Sequence, residues 1–291
     1  RICEEGIHVG RMKLAAIAAA IVVLLAGCSP RDESSAKRLA MPVAGSEQAD
    51  IMWYLWLAVW ISVLVVFVVV FGMIMYAPIR YRRKNADDPA PPQIRYHLPL
   101  EVLYTIAPVI LVSVFFFHTV KVQDQVVADE PNPDHTIEVV GSKWEWTFNY
   151  LDPEATDGVG VFDIGTPEEL PSLYLPVNET VRFEMHSPDV IHSFWIPEFY
   201  YKLDVVPGVI PGVEGPSNVS ITPNRKGVFT GRCAELCGTY HSRMMFKVHV
   251  VDRAEYDAHL KELKEAGQVG RPKGHDDAMT VVGLEADGEK H

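Results

Sequence analysis

A short segment in the C-terminal half of the chain carries side chains that bind soft metal ions. Cys233, Cys237, His241 and Met244 lie within twelve consecutive positions. Thiolate and imidazole ligands suit copper and zinc, and a thioether favours copper. A second imidazole, His192, lies upstream. These residue types predict a metal site built from two cysteines, two histidines and one methionine.

Two other interpretations of the cysteines stay open. Cys233 and Cys237 could form a disulfide in an oxidising compartment, although that would explain neither His241 nor Met244. A zinc site with two cysteines and two histidines uses similar spacings. Three glycines around the cluster indicate a folded loop, which lets ligands converge where a regular strand would send alternate side chains to opposite faces.

The rest of the chain combines two long apolar segments with an acidic remainder. It has 291 residues, of which 26 are basic and 38 acidic, for a net charge of −12, and 48% are hydrophobic. The negative balance argues against nucleic acid as a partner. Residues 51–77 and 102–120 contain no Asp, Glu, Lys or Arg, and each run is long enough to cross a membrane as a helix. We predict membrane-spanning helices over 51–77 and 98–120.

The connection between the helices predicts their orientation. Residues 78–97 contain five Lys or Arg and two Asp, and short basic loops stay on the cytoplasmic side. Both outer ends of the hairpin would then lie outside. Glu101, at the start of the second helix, is either an anchor at the membrane surface or an ionisable group that faces a proton path in a partner subunit.

The N-terminal part resembles a bacterial lipoprotein signal. Basic residues precede an apolar stretch that ends in Leu25-Ala26-Gly27-Cys28. The resemblance implies cleavage before Cys28 and attachment of lipid to its sulfur, with the mature chain starting outside the cytoplasmic membrane. A plain anchor helix is the alternative.

The segment after the second helix changes to a period of two. Four runs rich in β-branched and aromatic residues predict an all-β sandwich over 121–253. Residues 152–169 contain six acids and no base and are interpreted as a surface insertion. With 10 basic and 20 acidic residues, 121–253 carries a net charge of −10, which attracts cationic partners. The predicted organisation is upstream residues and signal peptide 1–27, external segment 28–50, helix 51–77, cytoplasmic loop 78–97, helix 98–120, external domain 121–253, and helix with tail 254–291.

Taken in order, these features resemble subunit II of the haem–copper cytochrome c oxidases. The resemblance covers about residues 50 to 253 and is most specific in the Cys-x-Glu-x-Cys-Gly-x-x-His-x-x-Met loop. It implies a cupredoxin-like Greek-key sandwich and a dinuclear copper centre, CuA, bridged by Cys233 and Cys237. The further ligands implied are His192 and His241, one on each copper, with Met244 and the backbone carbonyl of Glu235 as weak ligands. The resemblance also implies that the Glu235 side chain binds a magnesium ion at the subunit I interface.

The same resemblance implies a path for electrons and protons. Trp144 matches the tryptophan that receives electrons from cytochrome c, and CuA would pass them to haem a in subunit I. Oxygen would be reduced there at haem a3 and CuB, with protons pumped. Glu101 matches the glutamate at the mouth of the K-pathway for protons. Acids such as Asp189 would help to dock a cationic cytochrome.

Two departures from the family pattern refine the expectation. Gly141-Ser142-Lys143 replaces the usual Gly-His-Gln, and the acidic insertion 152–169 is additional. Together with the lipoprotein signal they resemble actinobacterial oxidases, whose donor is a cytochrome c domain tethered in a supercomplex with a bc1 complex. We expect subunits I and III, a cytochrome c and membrane lipid as partners, in the bacterial cytoplasmic membrane. A membrane-anchored copper chaperone is the rival from another class, but its motif usually has proline where Gly238 stands, and quinol oxidases lack the cysteines.

Overall fold

The computed structural model describes residues 37–85, 87, 89, 92–156, 158–208 and 218–272. The chain divides into two units, residues 1–43 and 44–291. In the first, the described residues form a turn in which the Met41 N–H donates to the Arg38 carbonyl at 3.0 Å. The predicted signal peptide and Cys28 lie outside the described residues. All elements below belong to the second unit.

Two long helices form the N-terminal part of this unit. Helix α1 is Glu47–Arg80 and helix α2 is Leu98–Val126. Both are long and apolar enough to cross a membrane, and their apolar segments are not buried within the chain. Contiguous exposed apolar surface of this extent needs lipid or partner helices to cover it. The structure extends both predicted helices by several residues.

Local hydrogen bonds determine where the helices begin. The Ser46 hydroxyl accepts from the Ala49 N–H at 3.1 Å and caps α1. At the start of α2, the Glu101 carboxylate accepts from the His97 N–H at 2.8 Å, while the His97 ring accepts from the Leu100 N–H at 3.4 Å. This reciprocal arrangement has the form of a capping box. Glu101 therefore has a structural role at the helix end.

Two five-stranded sheets face each other in the C-terminal part, as the alternating pattern predicted. One sheet has the order β3-β2-β1-β5-β8 and the other β4-β10-β9-β6-β7. The strands are β1 His135–Ser142, β2 Glu145–Tyr150, β3 Val161–Ile164, β4 Ser172–Pro176, β5 Val181–His186, β6 His192–Ile196, β7 Tyr201–Val205, β8 Asn218–Ile221, β9 Gly227–Cys233 and β10 Met245–Val251. Two further helices, the short α3 Pro153–Thr156 and α4 Arg253–Glu265, pack at the ends.

Aromatic side chains fill the space between the sheets. Phe194 of β6 and Phe246 of β10 stack with their centroids 5.0 Å apart, and Trp146 packs edge-on against both. All three are at most 1% exposed. Gly231 of β9 lies so close that a Cβ there would meet the Phe246 ring at 2.0 Å. The core therefore fixes β9 against β10, the two strands that flank the predicted metal loop.

The interpretation of 152–169 as a surface insertion was wrong in part. Val161–Ile164 forms the edge strand β3, paired antiparallel with β2, and Val161 is fully buried. Asp152 is also buried and accepts from the Tyr256 hydroxyl at 2.5 Å. The acidic composition led to a wrong prediction of exposure because some of the carboxylates accept hydrogen bonds inside the domain. Asp163, for example, accepts from the Ser172 N–H at 3.3 Å. Glu168 and Glu169 are exposed, as expected.

Candidate metal centre

The predicted ligand loop joins β9 to β10 at one end of the sandwich. At its base the Cys233 N–H donates to the Met244 carbonyl, and the Ala234 N–H donates to the Ser193 carbonyl, both at 2.9 Å. The second bond ties the loop to β6, whose first residue is His192. Gly238, with φ +124°, turns the chain back, since this backbone conformation is unfavourable for other residues. The fold thus brings distant donors to one point.

All five predicted side chains converge there. The Cys233 and Cys237 sulfurs are 3.8 Å apart. Cys233 Sγ lies 3.9 Å from His192 Nδ1, and Cys237 Sγ lies 3.7 Å from His241 Nδ1. Met244 Sδ is 3.8 Å from Cys237 Sγ. Each sulfur therefore has its own histidine.

These separations suit metal ligands better than a covalent bond. Tetrahedral donors held at about 2.0–2.3 Å from a metal are separated from one another by roughly 3.3–3.8 Å. A disulfide would need the sulfurs at about 2.05 Å, so the cysteines are free thiols in this structure. The Glu235 carbonyl lies 3.2 Å from Cys233 Sγ and adds an oxygen donor. Two sulfurs, two imidazoles and a thioether fit copper.

The sulfurs and the first imidazole are buried, and their surroundings change the pKa values of the two thiols. His192 is fully buried, and both cysteines are 5% exposed. Burial raises the pKa of Cys233, but hydrogen bonds with His192, with the Ser193 and Glu235 backbone and with His241 together outweigh burial and lower the pKa to about 6. Burial and the Cys233 charge raise the pKa of Cys237. One thiol loses its proton readily, and the second requires positive charge such as a metal ion brings.

A carboxylate orients the first histidine. Asp189 Oδ1 accepts from His192 Nε2 at 2.9 Å, which directs Nδ1 towards Cys233. The same carboxylate accepts from the Lys143 and Val190 N–H groups at 2.8 and 2.6 Å. Burial raises the pKa of Asp189, but hydrogen bonding to His192 and the two amides outweighs burial and lowers it to about 2. Outer carboxylates of this kind fix ring orientation in metal sites.

Two tryptophans lie against the loop. Trp144 Nε1 donates to the Cys237 carbonyl at 3.2 Å. Trp146 is fully buried in the core. Its Nε1 lies 3.5 Å from the Met244 carbonyl oxygen, and its ring centroid lies 6.2 Å from that of His192. Trp144 is only partly buried. It therefore connects the metal loop with the protein surface.

Comparison with known proteins decides the family. Residues 34–122 match the family described as cytochrome c oxidase subunit II, transmembrane domain, and residues 135–251 match its periplasmic domain. The probable cytochrome c oxidase subunit 2 of Streptomyces avermitilis is 39% identical over 295 residues, covering 89% of each chain. The chain belongs to the cytochrome c oxidase subunit II family.

Two further proteins are similar to this chain. The subunit 2 of Mycobacterium tuberculosis is 32% identical over 302 residues, covering 87% of this chain and 81% of the relative. The crystal structure of the periplasmic domain of subunit II from Bradyrhizobium japonicum is 27% identical, with a TM-score of 0.39, and covers 47% of this chain and 97% of that chain. As a subunit II, the chain is a membrane component of a haem–copper oxidoreductase. The predicted family and fold are confirmed.

The structure places the remaining predicted residues of this subunit II as follows. Glu101 lies on α2 and takes no part in the metal centre. The Glu235 side chain is exposed on the loop, next to Leu236, which is 77% exposed. Asp189 was predicted as a docking acid, and its contact with His192 was missed. Its position three residues before a predicted ligand was the available signal.

Proposed function

We propose that this subunit accepts single electrons at a dinuclear CuA centre and passes them to haem a in subunit I. The observation that supports this proposal best is the pairing of two sulfurs 3.8 Å apart, each with its own imidazole. A dinuclear copper group held by these side chains would supply a one-electron carrier. The ligands would be His192, Cys233, the Glu235 carbonyl, Cys237, His241 and Met244.

The chain's own contribution is to fix the positions of these ligands and to shield them from water. Cys233 is fixed by its backbone bond to Met244, and His192 by Asp189. Met244 is 1% exposed and His192 is fully buried, so water has little access from that side. With six donors directed at one point, the site leaves no position for a substrate. Such a site relays electrons and does not bind a reactant.

Electrons would arrive through Trp144, from cytochrome c or from a tethered cytochrome c domain of a bc1 complex. Its indole is partly exposed and bonded to the Cys237 carbonyl, which links the surface to a bridging ligand. Subunit I would then reduce oxygen at haem a3 and CuB and pump protons, with subunit III in the same complex. The exposed Glu235 side chain would bind magnesium at the subunit I interface.

We place the protein in a bacterial cytoplasmic membrane with both ends of the hairpin outside. The support is the basic segment that begins at the last residue of α1 and carries Arg80, Arg82, Arg83 and Lys84. A lipid on Cys28, after removal of 1–27, would anchor the N-terminus on the same side. The copper domain would thus meet donors outside the cytoplasm.

Copper loading of the full chain in detergent tests the proposal. We expect two coppers per chain and an EPR hyperfine pattern from one electron shared equally between two copper nuclei. Cys233→Ser should abolish that pattern because it removes a bridge, whereas Cys28→Ser should keep it. One copper with a mononuclear pattern, or a preference for zinc, would contradict the proposal.

A further inference from the structure

We infer that Tyr240 is a positioning residue that holds Trp144 against the metal loop, so that the two rings form one surface for the electron donor. This inference rests on the proposed function and adds a residue to it. Tyr240 is 43% exposed and lies between Cys237 and His241 in the sequence. Its ring contacts Trp144 edge-on, with centroids 5.1 Å apart and planes at 89°.

Three contacts hold Trp144 against the metal loop, and Tyr240 supplies one of them. Trp144 Nε1 donates to the Cys237 carbonyl at 3.2 Å. Its ring lies so close to Gly238 that a Cβ there would be 3.1 Å from the indole. The Tyr240 ring contacts the indole on a further side. Loss of the Tyr240 ring would remove one of these contacts with the loop.

The backbone of Tyr240 is itself fixed to the ligand loop. Its carbonyl accepts from the Arg243 N–H at 2.9 Å and from the Met244 N–H at 3.1 Å. These bonds belong to the turn that carries His241 and Met244. The position of the phenol ring is thus set by the segment that supplies two metal ligands. A change at the ring alone would leave those ligands in place.

A salt bridge connects this pair with the acidic insertion. The Arg243 guanidinium lies 5.5 Å from the Tyr240 ring centroid, and its Nη2 donates to Glu168 Oε1 at 2.9 Å. The two side chains are 50% and 70% exposed, so the salt bridge contributes little by itself. The aromatic contact is therefore the main restraint that Tyr240 provides.

The restraint matters because electronic coupling falls steeply with distance. An indole that stays on the Cys237 carbonyl offers a continuous route from the surface to a bridging sulfur, and an indole that swings away does not. Edge-to-face packing favours the ordered position. The partner expected on this surface is a haem protein whose exposed haem edge packs against the two aromatic rings.

The test uses the assembled oxidase and a reduced soluble cytochrome c as donor. In Tyr240→Leu, CuA reduction in stopped flow should slow roughly two- to tenfold, the range expected for loss of one aromatic pair. Tyr240→Phe keeps the ring and should react at the wild-type rate. The copper EPR pattern and reduction potential should stay unchanged in both variants, because the phenol ring is not a metal ligand.

A double-variant cycle separates positioning from other effects. Trp144→Phe should slow the reaction itself, and adding Tyr240→Leu should then slow it no further. Equal slowing by Tyr240→Leu in both backgrounds would overturn the inference, and so would a wild-type rate in Tyr240→Leu. A wild-type oxidase without the shared-electron EPR pattern would instead contradict the proposed function, and the inference with it.

Discussion

Asp189 illustrates how much a single residue beyond the ligands contributes. Its carboxylate bonds to the His192 ring and to two backbone amides, one of which belongs to Lys143, next to Trp144. It therefore connects the first ligand with the segment proposed to receive electrons. Replacement of this carboxylate would affect a ring that we propose binds copper.

We expect Asp189→Asn to weaken copper binding by about 10- to 100-fold, as is typical when an outer partner of a metal-bound histidine is lost. The asparagine side chain has no negative charge, and its NH₂ group would face the His192 ring nitrogen or backbone N–H groups that are themselves donors. Competition of the full chain with a copper chelator measures the change. Glu262→Gln, at an exposed site on α4, is the control and should bind copper normally. If Asp189→Asn bound copper with unchanged affinity, Asp189 would not support copper binding by His192. Its predicted role in docking would then be the one that remains.

Four of the proposed ligands could be singled out from the sequence because they lie in one continuous motif. His192 is 41 positions before Cys233, so the sequence offered it only as an available second imidazole, and the family resemblance gave it its place in the ligand set. The contacts of Asp189 and Tyr240 were not predicted. The spacing of Asp189 and His192 was a local signal for the first contact. The second joins the turn between β1 and β2 to the metal loop, and no local spacing encodes it.

At the scale of elements, a partly buried ionic network joins the sandwich to α4. His135, the first residue of β1, lies between two carboxylates, with Nδ1 2.7 Å from Asp152 and Nε2 2.8 Å from Glu179. From α4, the Tyr256 hydroxyl donates to Asp152 at 2.5 Å, and Arg253 donates to Glu179 at 2.7 Å. This cluster holds the helix against the strand ends.

This network predicts a pH-dependent stability. Burial lowers the pKa of His135, but Asp152 and Glu179 outweigh burial and raise it. Because the folded-state pKa exceeds the unfolded value of about 6.5, the stabilisation is fully present below about pH 6.5 and is lost as the pH rises through the folded-state pKa. We expect His135→Gln to lower the free energy of unfolding by about 2 kcal/mol at pH 6, and by less at pH 8.

Thermal unfolding of the full chain in detergent, followed by circular dichroism across this pH range, measures the effect. His249 is a suitable control because burial lowers its pKa, so that its contribution is lost as the pH falls. The His249→Gln variant should therefore still lose stability as the pH rises, as the wild type does, because His135 is unchanged. A wild-type curve parallel to that of His135→Gln would contradict the prediction, because it would mean that folding leaves the pKa of His135 unchanged.

The insertion marks where prediction of elements failed. The strands of the sandwich follow from alternating hydrophobic residues, which is a local signal. In 152–169 the acid content concealed the short strand β3, because Asp152 and Asp163 bond to donors inside the domain. Acidity predicts exposure only when the carboxylates have no internal partners, and the sequence does not reveal those partners.

At the scale of the whole molecule, the start of α1 is attached to the sandwich at several points. The Gly45 N–H donates to the Glu198 carbonyl at 2.8 Å, and the Glu47 N–H donates to the Thr222 carbonyl at 3.1 Å. Asn224 donates to Asp50 at 2.7 Å. The hairpin and the β-sandwich are therefore connected by more than the chain after α2, which favours a fixed position of the candidate metal site relative to the two helices.

Glu101, at the opposite end of the hairpin, allows electron and proton functions to be separated. Glu101→Gln can still accept from the His97 N–H and keep the helix cap, but it cannot ionise. We expect this variant of the assembled oxidase to take up protons more slowly, by about tenfold or more, with a normal rate of CuA reduction. Stopped flow with a pH indicator dye and with copper absorbance measures both rates in one sample.

Two further variants assign the cause of any slowing. Glu101→Ala removes the cap as well as the charge and should be no faster than Glu101→Gln in proton uptake. Asp124→Asn, an exposed site near the other end of α2, should be normal in both reactions. If Glu101→Gln took up protons normally while Glu101→Ala did not, the carboxylate would act only as a helix cap. The proton path would then have to begin on another residue, because a glutamine cannot carry a proton that the chain must release.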